Sequence, residues 1–241
     1  MKLRLFLTGA IFVFSGFVSR GQIVEALYQG FENGETSRVS ASPTSGMSYS
    51  TSLHASGSRS LELSQSMTED VTLYLDTLDC TNDLSIRYIT LTFDHICRVP
   101  MNVNADVSQQ YQVTYIYFKR PNQENWTRAT STHYNTPEGS GSFRQLTYFN
   151  TSSYSDWEGT SPTTNEMWKG ERFDFNNIIT PSLAPEQRKL QIKFVVKQRN
   201  TSGATGKWMF DNIKVSASSE MMVNPTISMA VYPDGYLHPS S

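Results

Sequence analysis

In the ten residues KLQIKFVVKQ (189–198), apolar and polar side chains alternate with a period of two. Leu190, Ile192, Phe194 and Val196 share one face, while Gln191, Lys193 and Lys197 share the other. Successive side chains on a strand point to opposite faces, so this pattern is that of a half-buried antiparallel strand. It recurs in VTLYLD, with Val71, Leu73 and Leu75 inward and Thr72, Tyr74 and Asp76 outward. It recurs again in IRYITLTFDH, with Ile89, Leu91 and Phe93 inward and Tyr88, Thr90 and Thr92 outward. SRSLELSQ, YQVTYIYF, SFRQLTYF and KWMFDNIKVSA read as further strands. Segments rich in Gly, Ser, Asn and Pro separate them at 33–58, 119–142, 150–171, 180–187 and 199–206, with no sustained helical periodicity anywhere. Many short strands joined by such loops predict an all-β sandwich or barrel rather than an α/β fold.

Ahead of the strands, Lys2 and Arg4 precede an apolar run over residues 5–18, followed by Ser19, Arg20 and Gly21. Cations, a short apolar core and a small-residue exit are the marks of a cleavable secretory signal. The run falls short of the roughly 18 or more apolar residues that span a bilayer. Cleavage after Gly21 places Ser19 and Gly21 at the two small-residue positions and leaves Gln22 as the new N-terminus. The expected organisation is a signal peptide at 1–21 and a β domain at 22–217, a size that commonly forms one core. Residues 218–241 carry three prolines and read as a tail, a linker or the start of a following module. The chain is thus expected to be secreted or at the cell surface, with no transmembrane anchor after cleavage. Removing 1–21 takes away three cations, Lys2, Arg4 and Arg20, and no acid, which carries the formal charge from −2 to −5. That balance argues against nucleic acid as a partner.

The two cysteines, Cys80 and Cys97, could pair after export. If 71–79 and 86–96 were the two arms of one hairpin, the sulfurs would lie at opposite ends of it, tens of ångströms apart at about 3.3 Å per residue. Placing the two strands in different sheets, or bending the second, would bring the Cα atoms within the roughly 7 Å a disulfide needs.

Three stretches carry a resemblance: QGFENG (29–34) with HASGSRSLELS (54–64); LYLDTLDC and LTFDHICRV (73–80 and 91–99); and GKWMFDNIKVSA (206–217). In their order and spacing the chain resembles the jelly-roll modules of secreted Bacteroidota surface proteins, which are similar in outline to carbohydrate-binding jelly rolls. The resemblance implies a two-sheet antiparallel jelly-roll sandwich, often placed beside an adhesin, protease or glycan-degrading domain, and no single activity.

Catalytic signatures are missing. His54, His95, His133 and His238 sit in no metal-ligand spacing, and there is no GxSxG elbow. Asp94 and His95 are neighbours on a strand and so point to opposite faces, which predicts a packed or capped pair rather than a dyad. Glu32, Glu62, Asp76, Glu158, Glu166 and Asp174 are available to a glycosidase, yet nothing singles out two of them. Three sequons, at Asn125, Asn150 and Asn200, fall in predicted loops and mark exposure.

The aromatic inventory points further. Tyr74 and Tyr88 face away from the apolar sides of their strands, Tyr111, Tyr115 and Tyr117 share one face, and Trp157 and Trp168 lie in the 150–171 loop. Such rings can stack on the apolar face of a sugar, or they can cover a sheet. The expectation is a non-catalytic recognition or adhesion module whose partner is a glycan or a cell-surface protein. The alternative is an N-terminal accessory domain of a secreted hydrolase whose catalytic part lies outside this chain.

In WMFDNIKV, unbroken alternation places Asp211 on the same face as Ile213 and Val215, which are expected to enter the core. An unpaired carboxylate there is costly, so it must meet a cation, a set of donors or an edge open to water. A structural calcium ion would satisfy it. The resemblance implies Glu32 and Asp211 as its ligands, with carbonyls of the 56–58 turn; pairing with Arg59 or with backbone N–H groups is the other solution. The export signal itself is directly checkable: intact-mass analysis of the protein recovered from the medium or surface of an expressing bacterium is expected to show a chain beginning at Gln22.

Overall fold

The computed structural model describes residues 23–32, 37–64, 69–100, 112–136, 139, 141–159, 161–199, 206–219, 229–231 and 237–239. The predicted signal peptide therefore lies outside the described residues, as does most of the 218–241 segment. Within that segment two short strands, Met229–Val231 and Leu237–Pro239, pair antiparallel as a separate ribbon.

The alternating segments form two antiparallel sheets. The first contains β1 (Ile23–Gln29), β3 (Met47–Ser50), β4 (Ser60–Ser64), β7 (Tyr88–Cys97), β10 (Lys169–Asp174) and β12 (Lys207–Ser218). Its order is β10-β7-β12-β4-β3, with β1 lying beside the C-terminal half of β12. The second contains β2 (Val39–Ser42), β5 (Val71–Leu75), β6 (Leu78–Asp79), β8 (Gln112–Lys119), β9 (Thr127–Arg128) and β11 (Lys189–Gln198). Its order is β2-β5-β11-β8-β9, with β6 on β11. Apart from the β3–β4, β5–β6 and β8–β9 steps, every connection carries the chain from one sheet to the other. This winding between layers is that of a jelly-roll sandwich.

The core lies between the sheets and is aromatic. Phe93 of β7 meets Phe194 of β11 edge to face at 5.1 Å, and Phe194 also meets Trp208 and Phe210 of β12 at 5.6 and 4.7 Å. Leu190, Ile192, Phe194 and Val196 are buried as their alternation predicts, as are Val71, Leu73 and Leu75, and Ile89, Leu91 and Phe93. The hairpin geometry considered for the cysteines does not occur, because β5 and β6 belong to one sheet and β7 to the other. Both thiols are nonetheless free and buried, and burial pushes Cys80 up to about 11 and Cys97 up to about 12.

Several expectations need correction. SFRQLTYF is not a strand: it opens with a short helix, α1 (Gly141–Leu146), closed by the Thr147 N–H bond to the Phe143 carbonyl with Thr147 at φ 60°. One helical turn lets Phe143 and Phe149 converge at 4.6 Å on the same aromatic cluster, which an extended chain could not do. The presumed loops 33–58, 119–142 and 150–171 contain β2 and β3, β9, and the start of β10. Asn150, expected to be exposed, is 2% exposed, its side-chain oxygen accepting the Ser152 N–H at 2.7 Å to close a turn.

Inside the first sheet one carboxylate is buried with a full set of donors. Glu171 of β10 accepts from His95 Nε2 at 3.0 Å and Tyr154 Oη at 2.6 Å through Oε1. Its Oε2 accepts from Tyr134 Oη at 2.6 Å and Thr136 Oγ1 at 3.1 Å. Trp208 Nε1 can only donate, and it reaches His95 Nδ1 at 2.9 Å, so the imidazole accepts there and donates to Glu171 through Nε2. His95 is therefore packed, as its sequence position predicted. Burial alone would raise the Glu171 pKa; the bonds from His95, Tyr134 and Tyr154 outweigh it and hold the carboxyl below its ordinary value.

A carboxyl with a depressed folded-state pKa contributes stability that is present above its unfolded value and lost as pH falls through the folded one. Glu171→Gln presents an N–H₂ to donors that need an acceptor, and is expected to cost about 1–3 kcal/mol at neutral pH. Urea unfolding at about pH 7 and about pH 3.5 is expected to show the gap between wild type and variant narrowing at the lower pH. A constant gap would mean that the carboxylate is not held ionised by this network.

Candidate functional site

A cleft of about 520 Å³, open to solvent, lies on the outer face of the first sheet. Strand register builds it. Arg172 of β10 lies opposite Thr92 of β7, Thr92 opposite Lys214 of β12, and Lys214 opposite Tyr28 of β1. One row of four outward side chains thus crosses four strands, and Thr90, Asp94 and Gly170 flank it. Gly170 faces Asp94 across the ladder, and a Cβ there would stand 3.2 Å from Asp94 Oδ1, so the missing side chain leaves the carboxylate room.

A β-bulge in β12 supplies the remaining group. The register shifts between Asp211 and Lys214, and Asn212 takes a left-handed φ of 49°. Such bulges re-aim a side chain and bend the strand. Here the Asn212 amide donates to Asp94 Oδ2 at 2.7 Å, while its carbonyl oxygen accepts from Tyr28 Oη at 3.0 Å and Ser56 Oγ at 2.8 Å. Asp174, beside the row, accepts from Thr90 Oγ1 at 3.0 Å and Arg172 Nε at 2.9 Å, and also from Asn135. The cleft therefore offers fixed acceptors and fixed donors side by side, with one aromatic ring, Tyr28, 52% exposed at its rim. Tyr28, Asn212, Arg172 and Lys214 were not singled out from sequence. The only local signal was the strand pattern of β12, which the bulge interrupts.

The residues that were singled out separate into three groups. Tyr74 and Tyr117 come together on the outer face of the second sheet, both opposite Lys193 of β11 and both half-buried. Trp126, the middle residue of the Asn125 sequon, joins them, with its ring 6.3 Å from Tyr74. Tyr115 is on the same strand face but only 3% exposed, packed with Val113, Tyr148 and Leu146. Trp157 is 0% exposed, sitting edge-on to His95 with its indole N–H donated to the Met167 carbonyl. As free stacking surfaces for a ligand, Tyr115 and Trp157 are therefore corrected: segments distant in sequence cover both rings. Trp168 is half-buried against the core, and Tyr88, half-buried, lies on the first sheet opposite Ser218. Tyr111 lies outside the described residues.

No protein-family model matches the chain, and no curated protein matches it. Among solved structures it is similar to the CBM22-2 xylan-binding domain from Paenibacillus barcinonensis Xyn10C, with 12% identity, 80% of this chain and 99% of that one covered, and a TM-score of 0.45. The CBM22-1 xylan-binding domain of the same protein gives 11% identity, 83% and 97% coverage and a TM-score of 0.41. TmCBM27, a carbohydrate-binding module of specific mannan recognition, gives 14% identity, 81% and 98% coverage and a TM-score of 0.37. No residue correspondence follows from likeness at this level.

Glu32 and Asp211 both act on one turn. Ala55 and Ser56 donate their backbone N–H groups to Asp211 Oδ2 at 2.9 and 3.0 Å, and Asn212 N–H reaches Oδ1 at 2.8 Å. Ser58 donates its N–H to Glu32 at 2.9 Å and its hydroxyl at 2.7 Å. The bulge overturns the alternation that sent Asp211 inward: it stands opposite Asp94, on the face away from Trp208 and Phe210, and the turn covers it completely. Burial raises the Asp211 pKa, and the three N–H bonds pull against that. The turn thus meets both carboxylates with N–H donors where a calcium shell would need oxygens. Among the described residues no group of three or more His, Cys, Asp or Glu is placed to hold a metal. Calcium at Glu32 and Asp211 would have to displace these bonds. The hydrogen-bonded arrangement predicts a melting midpoint that chelator and added calcium leave unmoved, whereas Asp211→Asn is expected to lower it by exchanging one accepting carboxylate oxygen for an NH₂ that faces backbone N–H donors. A midpoint that rises with calcium in the wild type but not in Asp211→Asn would establish the ion.

Proposed function

We propose that this chain is a non-catalytic glycan-recognition module, secreted or displayed at the cell surface, that binds in the cleft of the first sheet. The observation that carries the reading is the convergence of Asp94, Asn212, Arg172 and Lys214 around an open cleft with Tyr28 exposed at its rim. A sugar presents vicinal hydroxyls that both donate and accept, and a carboxylate beside an amide satisfies such a pair in fixed geometry. A pyranose also has an apolar face, which a ring such as Tyr28 can cover while its hydroxyl stays bonded. The cleft volume lies within the range of small-ligand sites, about 300–1,000 Å³.

The carboxylates of the cleft are positioned to bind rather than to exchange protons. Asp174 is engaged by Thr90, Asn135 and Arg172, and Asp94 by Asn212. Glu171, at the cleft floor, has four donors of its own. No helix among the described residues is long and apolar enough to cross a membrane.

Affinity electrophoresis of the full chain against a panel of neutral polysaccharides, followed by calorimetric titration of whichever one retards it, tests the proposal. Tyr28→Ala and Asp94→Ala are each expected to weaken binding about tenfold or more, the loss of a stacked ring or a charged hydrogen-bond partner. Their melting midpoints are expected to stay close to wild type, since both side chains are outward. Binding unchanged in both folded variants would remove the cleft from the account, and no retardation by any glycan would remove glycan recognition with it.

A further inference from the structure

The outer face of the second sheet carries a row of its own. Strand register aligns Ser40 of β2, Tyr74 of β5, Lys193 of β11, Tyr117 of β8 and Arg128 of β9. At about 4.8 Å between strands the row runs for about 19 Å. Lys193 is held among three rings, its Nζ 4.3 Å from the centre of Trp126, 5.4 Å from Tyr117 and 5.6 Å from Tyr74. Lys119 lies over the same indole at 5.1 Å, and the Arg128 guanidinium lies over Tyr115 at 5.0 Å. Arg199 reaches this side as well, donating to the Tyr115 hydroxyl at 3.2 Å.

The charges on this face do not balance. Lys197 is paired with Asp70 and Lys189 with Asp79, yet none of the ion pairs formed among the described residues includes Lys119, Lys193, Arg128 or Arg199. Four cations that form no ion pair among the described residues are thus gathered on one sheet face of a chain whose formal net charge is −2. Burial lowers the Lys193 pKa, and the nearby Lys119 and Lys197 lower it further, with Asp70 acting in the opposite sense. Cations crowded on a partly desolvated surface repel one another, and an anion brought among them relieves that repulsion.

We infer that this face is a second binding site, separate from the cleft, for a linear polysaccharide bearing carboxylate or sulfate groups. The half-buried rings of Tyr74, Tyr117 and Trp126 offer apolar contact to sugar rings along the row, and Lys193, Lys119 and Arg128 supply the counter-charge. Stacked rings interleaved with cations also suit single-stranded nucleic acid. Nucleic acid binding, however, rests on neutralising a phosphate at every successive nucleotide, which the net negative charge of this chain opposes. An acidic polysaccharide, whose sugar rings also present apolar faces to the aromatic row, fits it better.

The test is affinity electrophoresis of the full chain through gels containing polygalacturonate, dextran sulfate or neutral dextran, with a fluorescent oligothymidylate measured in parallel. Retention by one or both acidic polymers and not by dextran is expected, decreasing with added salt, and the stronger of the two identifies the anion. Lys193→Gln and, independently, the exposed Arg128→Gln are each expected to reduce retention severalfold, while Tyr28→Ala in the cleft leaves it unchanged. Equal retention by dextran, tighter binding of oligothymidylate, retention indifferent to both Lys193→Gln and Arg128→Gln, or no retention at all would each overturn the inference. Because Tyr28→Ala separates the two faces, failure here leaves the cleft reading standing, and failure of the cleft leaves this one.

Discussion

One buried carboxylate organises an end of the sandwich. Glu171 belongs to β10, the outermost strand of its sheet, which pairs along one side with β7 and on the other, among the described residues, only through backbone bonds of the 133–135 segment around the Tyr134–Phe173 bridge. Four side-chain donors from β7, the 134–136 segment and Tyr154 converge on it, and Trp208 of β12 fixes the imidazole that completes the set. An ion left unpaired at this depth would be strongly destabilising, so the donors and the acceptor specify one another's positions. The cleft depends on this arrangement, because Glu171 and Thr136 form part of its floor and Arg172 projects from the adjacent position of the same strand.

The bulge in β12 is the complementary device. By adding a residue at Asn212 it lets Trp208 and Phe210 face the core before it, and Ile213 and Val215 after it. The strand keeps its apolar face inward along its whole length. The extra residue swings an amide toward Asp94, and the residue before it, Asp211, fastens the 55–56 backbone. A single backbone irregularity therefore serves the core, the cleft and the turn that covers Asp211. The two outer faces that result differ in chemistry: the first is a polar cleft with one exposed ring, the second an aromatic surface filled in by lysine and arginine side chains.

Central strands were legible in the sequence and peripheral ones were not. β5, β7, β11 and β12 lie between neighbours and bury one side, so their alternation is strong. β2, β3, β9 and β10 are the four sheet edges, and β1 pairs with β12; being short or bordered by polar residues, they resemble loops. The aromatic residues show the same division. Alternation correctly turned Tyr74 and Tyr117 outward. It also turned Tyr115 outward, but the ring is covered by Tyr148 and Leu146, which arrive some thirty residues later in the chain.

What the sequence determined by itself was the sandwich, most of its inner faces, the packing of His95 and the absence of catalytic spacing, because each follows from local period or local motif. Which outward residues stand together was decided only in three dimensions. Tyr28, Thr92, Arg172 and Lys214 are separated by long stretches of chain and become neighbours through register between four strands. The fate of the acids was decided there too, since Glu32 and Asp211 find their donors on a turn that neither strand pattern describes. Period sets the side of a strand to which a residue points; pairing and covering segments set what it meets there.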